Sequence, residues 1–215
     1  CITTGLGEGE YLNNDIATEI IPAVSSVSAT DPVPETRAAS FHVLTEIILK
    51  VHPEVAFDLV RQLAGEECPF SNMRSAAIGL LRRLVVRAFN QKPPAADDPF
   101  AAPILLREYA PILFKSPLLD ETAANDSEVK DPQEVNRIVE SLGFYYVLLA
   151  RDTNNLTGVR DPVFLRETNT TFVGSLKKRL ALWGAELNDQ ETQAAARTIE
   201  LSLERVEEIL SNLGL

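Results

Sequence analysis

Acid–base, nucleophilic or metal chemistry would fall first to two histidines, two cysteines and a few adjacent carboxylates. His42 follows Phe41 in a helical pattern, and His52 precedes Pro53 at a turn; a helix-surface and a turn histidine account for both better than a catalytic pair. Cys68 stands alone in EECPF, which suits an inert thiol better than a redox sensor. A metal site needs three or four convergent ligands, and no such spacing occurs. The pairs Glu66–Glu67, Asp97–Asp98 and Glu207–Glu208 read as solvated faces rather than general acids or bases. There is no GxGxxG, GxxxxGK[ST], HExxH or GxSxG. The expectation is a chain that is not an enzyme and needs no metal or cofactor.

Cations form the other conspicuous pattern. Arg74, Arg82, Arg83 and Arg87 cluster in one stretch, and Lys177, Lys178 and Arg179 in another. Arg83 and Arg87, four residues apart, share a helical face. A solvated face explains most of this; the sharper reading is a basic patch that receives an acidic partner surface.

The whole chain is acidic, with 20 Lys and Arg against 31 Asp and Glu, a net charge of −11. Such a chain repels nucleic-acid phosphates and anionic membrane surfaces. At 45% hydrophobic residues it can bury a core. The two cysteines, Cys1 and Cys68, make no disulfide framework, which fits a reducing, cytoplasmic or nuclear setting. No apolar run is long enough to cross a bilayer, and the start, CITTGLGEGEYL, is unlike a signal peptide. Lacking an initiator Met, it reads as a piece of a longer protein. The sequons at Asn125, Asn155 and Asn169 read as chance matches.

Helical spacing dominates the elements that would position these residues. A first helix is expected over 12–25, then the loop SSVSATDPVPET. Residues 36–51 and 53–64 should form a helical hairpin, with Pro53 in a first turn and Gly65 as the stop. SNMRSAAIGLLRRLVVRAF should be a capped helix, and NQKPPAADDP a loop. A kinked helix is expected over 100–114, carrying Pro103 and Pro111, then a polar and mobile loop over 116–132. Residues 134–150 should be buried nearly all round. After the turn TNNLTG, a helix should run from Pro162 to about Leu187. The last helix begins at an Asp189 cap and carries Ile199, Leu203, Val206 and Leu210. The expected core includes Phe41, Leu44, Ile48, Leu81, Leu84, Leu142, Tyr146, Leu149 and Leu180. The fold class is all-α: irregular, HEAT-like stacked helix pairs in an α-solenoid, organised as an N-terminal helix and linker over 1–30 and a repeat domain over 31–215.

Three stretches carry a family likeness: ETRAASFHVLTEIILKVHPEVAFDLVRQL with the helix after it, NRIVESLGFYYVLLARDTNNLTG, and TIELSLERVEEIL. In collinear order across residues 31–213 they resemble the C-terminal region of the glomulin family, which includes the plant lateral-root-formation homologue and the fungal, kinetochore-linked YAP-binding proteins. The resemblance implies a helical-repeat adaptor or inhibitor without catalysis. Its partner would be the RING-box subunit of cullin–RING ubiquitin ligases, masked against the ubiquitin-conjugating enzyme. Alternative roles are a scaffold for a stress-response transcription factor or kinetochore components, or a structural segment of a larger repeat protein. Phe144-Tyr145-Tyr146 and the proline-rich loops suggest a fungal member. The turn after the 134–150 helix holds Arg151, Asp152, Asn154 and Asn155. Asn and Asp there more often satisfy local backbone than touch a partner. With Arg83, Arg87 and Arg137 as charged anchors, these residues make up the expected protein-binding set, spread rather than in one patch because Arg137 lies nearly four turns upstream.

Overall fold

A computed structural model describes residues 11–91, 94–95, 97–116, 119, 132–186 and 190–214. Among these residues every regular element is helical and none is a strand: α1 Asn14–Thr30, α2 Pro34–Ile48, α3 Pro53–Ala64, α4 Ser71–Asn90, α5 Ile104–Leu113, α6 Pro132–Arg151, α7 Pro162–Thr168, α8 Gly174–Glu186 and α9 Gln190–Asn212. A short 3-10 turn, Pro99–Ala101, precedes α5, and a π segment, Asn169–Val173, joins α7 to α8. All but residues 116, 119 and 132 of the expected loop over 116–132, the Asp189 cap, Cys1 and the Asn125 sequon lie outside the described residues. Two compact units result, Cys1–Leu80 and Leu81–Leu215, with the division inside α4.

In the first unit α1 runs to Thr30, five residues beyond the expected end. The serines read as loop-formers are the reason. Ser25 and Ser28 are buried with Ala17 and Ile21 on one face, and side chains this small let α1 lie close along α2. Ser28 Oγ donates to the Arg37 carbonyl across the pair, and Ser25 Oγ to the Pro22 carbonyl. The close helix pair is therefore α1 with α2, whereas the sequence reading paired α2 with α3. Pro34 and Pro53 both occupy first-turn positions, where a missing N–H costs nothing.

The second unit is built on α6, which packs most closely against α9. Ile138, Leu142, Tyr145 and Leu149 recur at i, i+3 and i+4 and are all buried. The expected core is found at Leu44, Ile48, Leu81, Leu84, Leu142, Leu149, Leu180, Ile199, Leu203 and Val206. Tyr146 is a correction: it is 39% exposed, because one residue turns the helix by about 100° away from the face that Tyr145 holds. Phe41 is only half-buried. Phe114 gathers the aromatic cluster, with ring centroids 5.3 Å from Tyr145, 6.2 Å from Phe164 and 5.0 Å from Phe172.

The single helix expected from Pro162 is interrupted by the π segment. Thr170 and Thr171 turn their hydroxyls to the carbonyls of Arg166 and Glu167, four residues back, a pattern that competes with regular helical pairing. Gly174 N–H then reaches the Asn169 carbonyl, five residues back.

Candidate functional site

Helix C-termini leave carbonyls unpaired and carry partial negative charge, so a cation nearby is favoured twice over. Three arginines use this chemistry. Arg37, in the first turn of α2, donates from Nη1 to the Asp31 carbonyl at 2.8 Å just past the end of α1. There Asn72 of α4 also donates to the Ala29 carbonyl, at 3.1 Å. Arg160 reaches back to the Leu149 carbonyl in the last turn of α6, at 2.7 Å.

The most complete of these clamps is Arg137. Nη1 donates to the Ile112 carbonyl at 2.9 Å, and Nη2 to that of Lys115, so the guanidinium closes the end of α5 from α6. Nε and Nη2 also pair with the Glu134 carboxylate at 2.9 and 2.7 Å. Ser116 Oγ donates to the same carboxylate. Arg137 is 9% exposed. Expected as an anchor for a partner, it is turned inward instead, with all three nitrogens engaged inside the unit.

The turn after α6 is likewise self-contained. Asp152 is fully buried. Its carboxylate accepts from Leu156 N–H and Thr157 N–H, both at 2.7 Å, and from Thr157 Oγ1 at 2.6 Å. Asn155 takes a left-handed φ of 56°, and its side-chain carbonyl accepts from Arg160 N–H at 2.7 Å. Asn tolerates that conformation better than most side chains, and its short amide suits such local pairing. The most distinctive polar residues of the sequence thus hold a loop together. Arg151 and Asn154 in this turn remain exposed.

Of the two α4 arginines expected to bind, Arg83 is exposed and no ion pair holds it among the described residues, while Arg87 is half-buried. Arg87 acts on Asp98, whose carboxyl is raised above its ordinary pKa by burial and drawn partly back by the Phe100 N–H and by Arg87. Arg82 reaches Glu140 of α6 at 3.2 Å. Lys177 of the second basic run pairs with Glu207. The sequence reading missed Glu134, Glu140, Thr157 and Arg160; folding brings Arg82 to Glu140, whereas Glu134 stands three residues before Arg137 on one helix, a spacing that could have found it.

His52 lies edge-on to Tyr11, their ring centroids 5.2 Å apart, at the start of α3. Cys68 is buried and free, its thiol 3.7 Å from the Phe70 carbonyl. Among the described residues no three His, Cys, Asp or Glu side chains converge as a metal site, and no helix is long and apolar enough to cross a membrane.

Fold and polar geometry together define an all-helical protein in which arginines tie helix ends to neighbouring segments and Asp152 ties together the turn after α6. The chain belongs to the family described as "Uncharacterised protein family, YAP/Alf4/glomulin", whose model matches residues 3–205. Neither the curated proteins nor the solved structures give a match.

Proposed function

We propose that this chain is a non-catalytic protein-binding module of the glomulin type, its helices stacked as HEAT-like pairs, acting in the cytoplasm or nucleus. The proposed partner is the RING-box subunit of a cullin–RING ubiquitin ligase. The observation that carries this reading is the family match across residues 3–205, nearly the whole chain. Of the residues expected to bind, Arg83, Arg151, Asn154 and Asn155 have the exposure a contact requires, though the Asn155 side-chain carbonyl is already taken by Arg160 N–H. Arginine is the type among them that most often dominates an interface.

Titration of the purified chain with a RING-box subunit tests the reading. Arg83→Glu should weaken binding tenfold or more, about 1.4 kcal/mol, with helicity and melting unchanged. An unaltered affinity removes Arg83 from the interface, and no binding by the parent chain removes the RING-box partner. The YAP branch in the family description favours a second reading, a scaffold for a stress-response transcription factor or kinetochore components. Binding of such a partner in place of the RING-box subunit would establish it.

A further inference from the structure

Along the α1–α2 pair runs an open apolar groove of about 310 Å³, lined by Ala23, Val24 and Val27 from α1 and Ala39, Ser40 and Val43 from α2. Val27 is 42% exposed and Val43 47%. Ile16 continues the α1 stripe one helical repeat earlier and is also exposed. The buried face of α1, with Ala17, Ile21, Ser25 and Ser28, is a different one. Val27 and Val43, one on each helix, thus leave much of their apolar surface open to solvent.

Both helices that line this groove carry carboxylates close to it in helical spacing. Glu19 lies four residues before Ala23, Glu35 four before Ala39, and Glu46 three after Val43, which sets each carboxylate beside the apolar stripe. Among the described residues no cation pairs with any of the three. Helix α1 contains no Lys, Arg or His. On α2, His42 is exposed beside Val43, the one arginine, Arg37, has its guanidinium turned to the carbonyls of Asp31 and Pro32, and Lys50 lies beyond the end of the helix.

We propose that this groove is a docking site for an amphipathic helix of a partner protein that carries Lys or Arg on either side of its apolar stripe. Valines seated in a groove supply affinity, and flanking carboxylates select the charge of the incoming helix. A second copy of this chain would bring the same carboxylates against one another, which like charges oppose. The site lies on α1 and α2, away from Arg83 in sequence, and does not depend on the RING-box reading.

A fluorescent 18-residue peptide of Leu and Lys at helical spacing tests it by anisotropy against the full chain, beside a peptide with the same leucines and Glu for Lys. The Leu/Lys peptide should bind, with affinity that falls as salt is raised, and the Leu/Glu peptide should not. The double variant Val27→Gln/Val43→Gln should bind the Leu/Lys peptide at least tenfold more weakly, and Glu19→Gln/Glu46→Gln several-fold more weakly. Glu19, Val27 and Val43 are exposed and Glu46 is half-buried, so melting should move little. Equal binding of both peptides, binding indifferent to the valine variant, or no binding overturns the proposal. So does a dimer in sedimentation that the valine variant abolishes, which would make the occupant a second copy.

Discussion

The guanidinium of Arg137 meets the carbonyl of Ile112 at 2.9 Å, a bond between residues 25 apart in sequence. It fixes where α5 ends against α6. The ion pair with Glu134 is nearly buried, with side chains 10% and 18% exposed. Removing one partner of such a pair strands the other charge and typically costs about 3–5 kcal/mol. Arg137→Ala should lose stability of that order in denaturant unfolding. A loss below about 1 kcal/mol would show that the clamp is dispensable.

Asp152 and Asn154 lie in one turn and should respond in opposite ways. Asp152→Ala leaves two amides and a hydroxyl without their acceptor, at about 2–3 kcal/mol. Amide exchange should accelerate first at Leu156 and Thr157. Asn154→Ala alters an exposed side chain and should stay within about 0.5 kcal/mol. Equal effects at the two sites would refute the division between a structural and a surface position.

Gly143 gives room to Arg82. A Cβ there would come within 2.5 Å of Arg82 Nη1, the end of a flexible side chain. Alanine at this mid-helix site gains about 1 kcal/mol in helix propensity, against a half-exposed ion pair worth less than that. Gly143→Ala should be mildly stabilising, and more so in an Arg82→Ala background where the displaced guanidinium is gone. Additive effects of the two substitutions would be evidence against the contact.

The phenol of Tyr145 is buried without a hydrogen-bond partner, and burial pushes its pKa well above the ordinary value. An unsatisfied buried hydroxyl costs about 1–3 kcal/mol. Tyr145→Phe keeps the ring against Phe114 and should raise the melting temperature. A lower one would reveal a partner for the hydroxyl.

Asp98 bears on pH. Its pKa is raised in the folded chain, chiefly by burial, so the folded state holds the proton more tightly than the unfolded one. Its contribution is therefore most favourable below the ordinary carboxylate pKa and is lost as pH rises through the folded value. Asn can still accept from Phe100 N–H, as Asp98 does at 2.9 Å. Asp98→Asn should gain on the parent between pH 3 and pH 7, measured by unfolding at both. A constant difference would mean that Arg87 cancels the burial.

Much of the helical order was legible because helix formation is local. The turn Pro at residue 53, the stop at Gly65 and the stripe of α6 need only their own neighbours in sequence. Length errors came where small polar residues behave one way alone and another in contact. The serines of α1 look like loop formers, yet against α2 they extend the helix to Thr30. Tyr146 looked like core because α6 is apolar over a wide arc, and only the placement of α9 decides which side is covered.

By itself the sequence determined an all-helical chain, its acidic charge and the family to which it belongs. Tertiary structure alone decided what its polar residues do. Arg83 and Arg137 are equally plain arginines on helices, and both read as anchors for a partner. One is exposed, while the other lies among carbonyls brought from residues 112 and 115. A guanidinium is drawn to whichever acceptors are nearest in space, and spacing along a chain does not say which those will be.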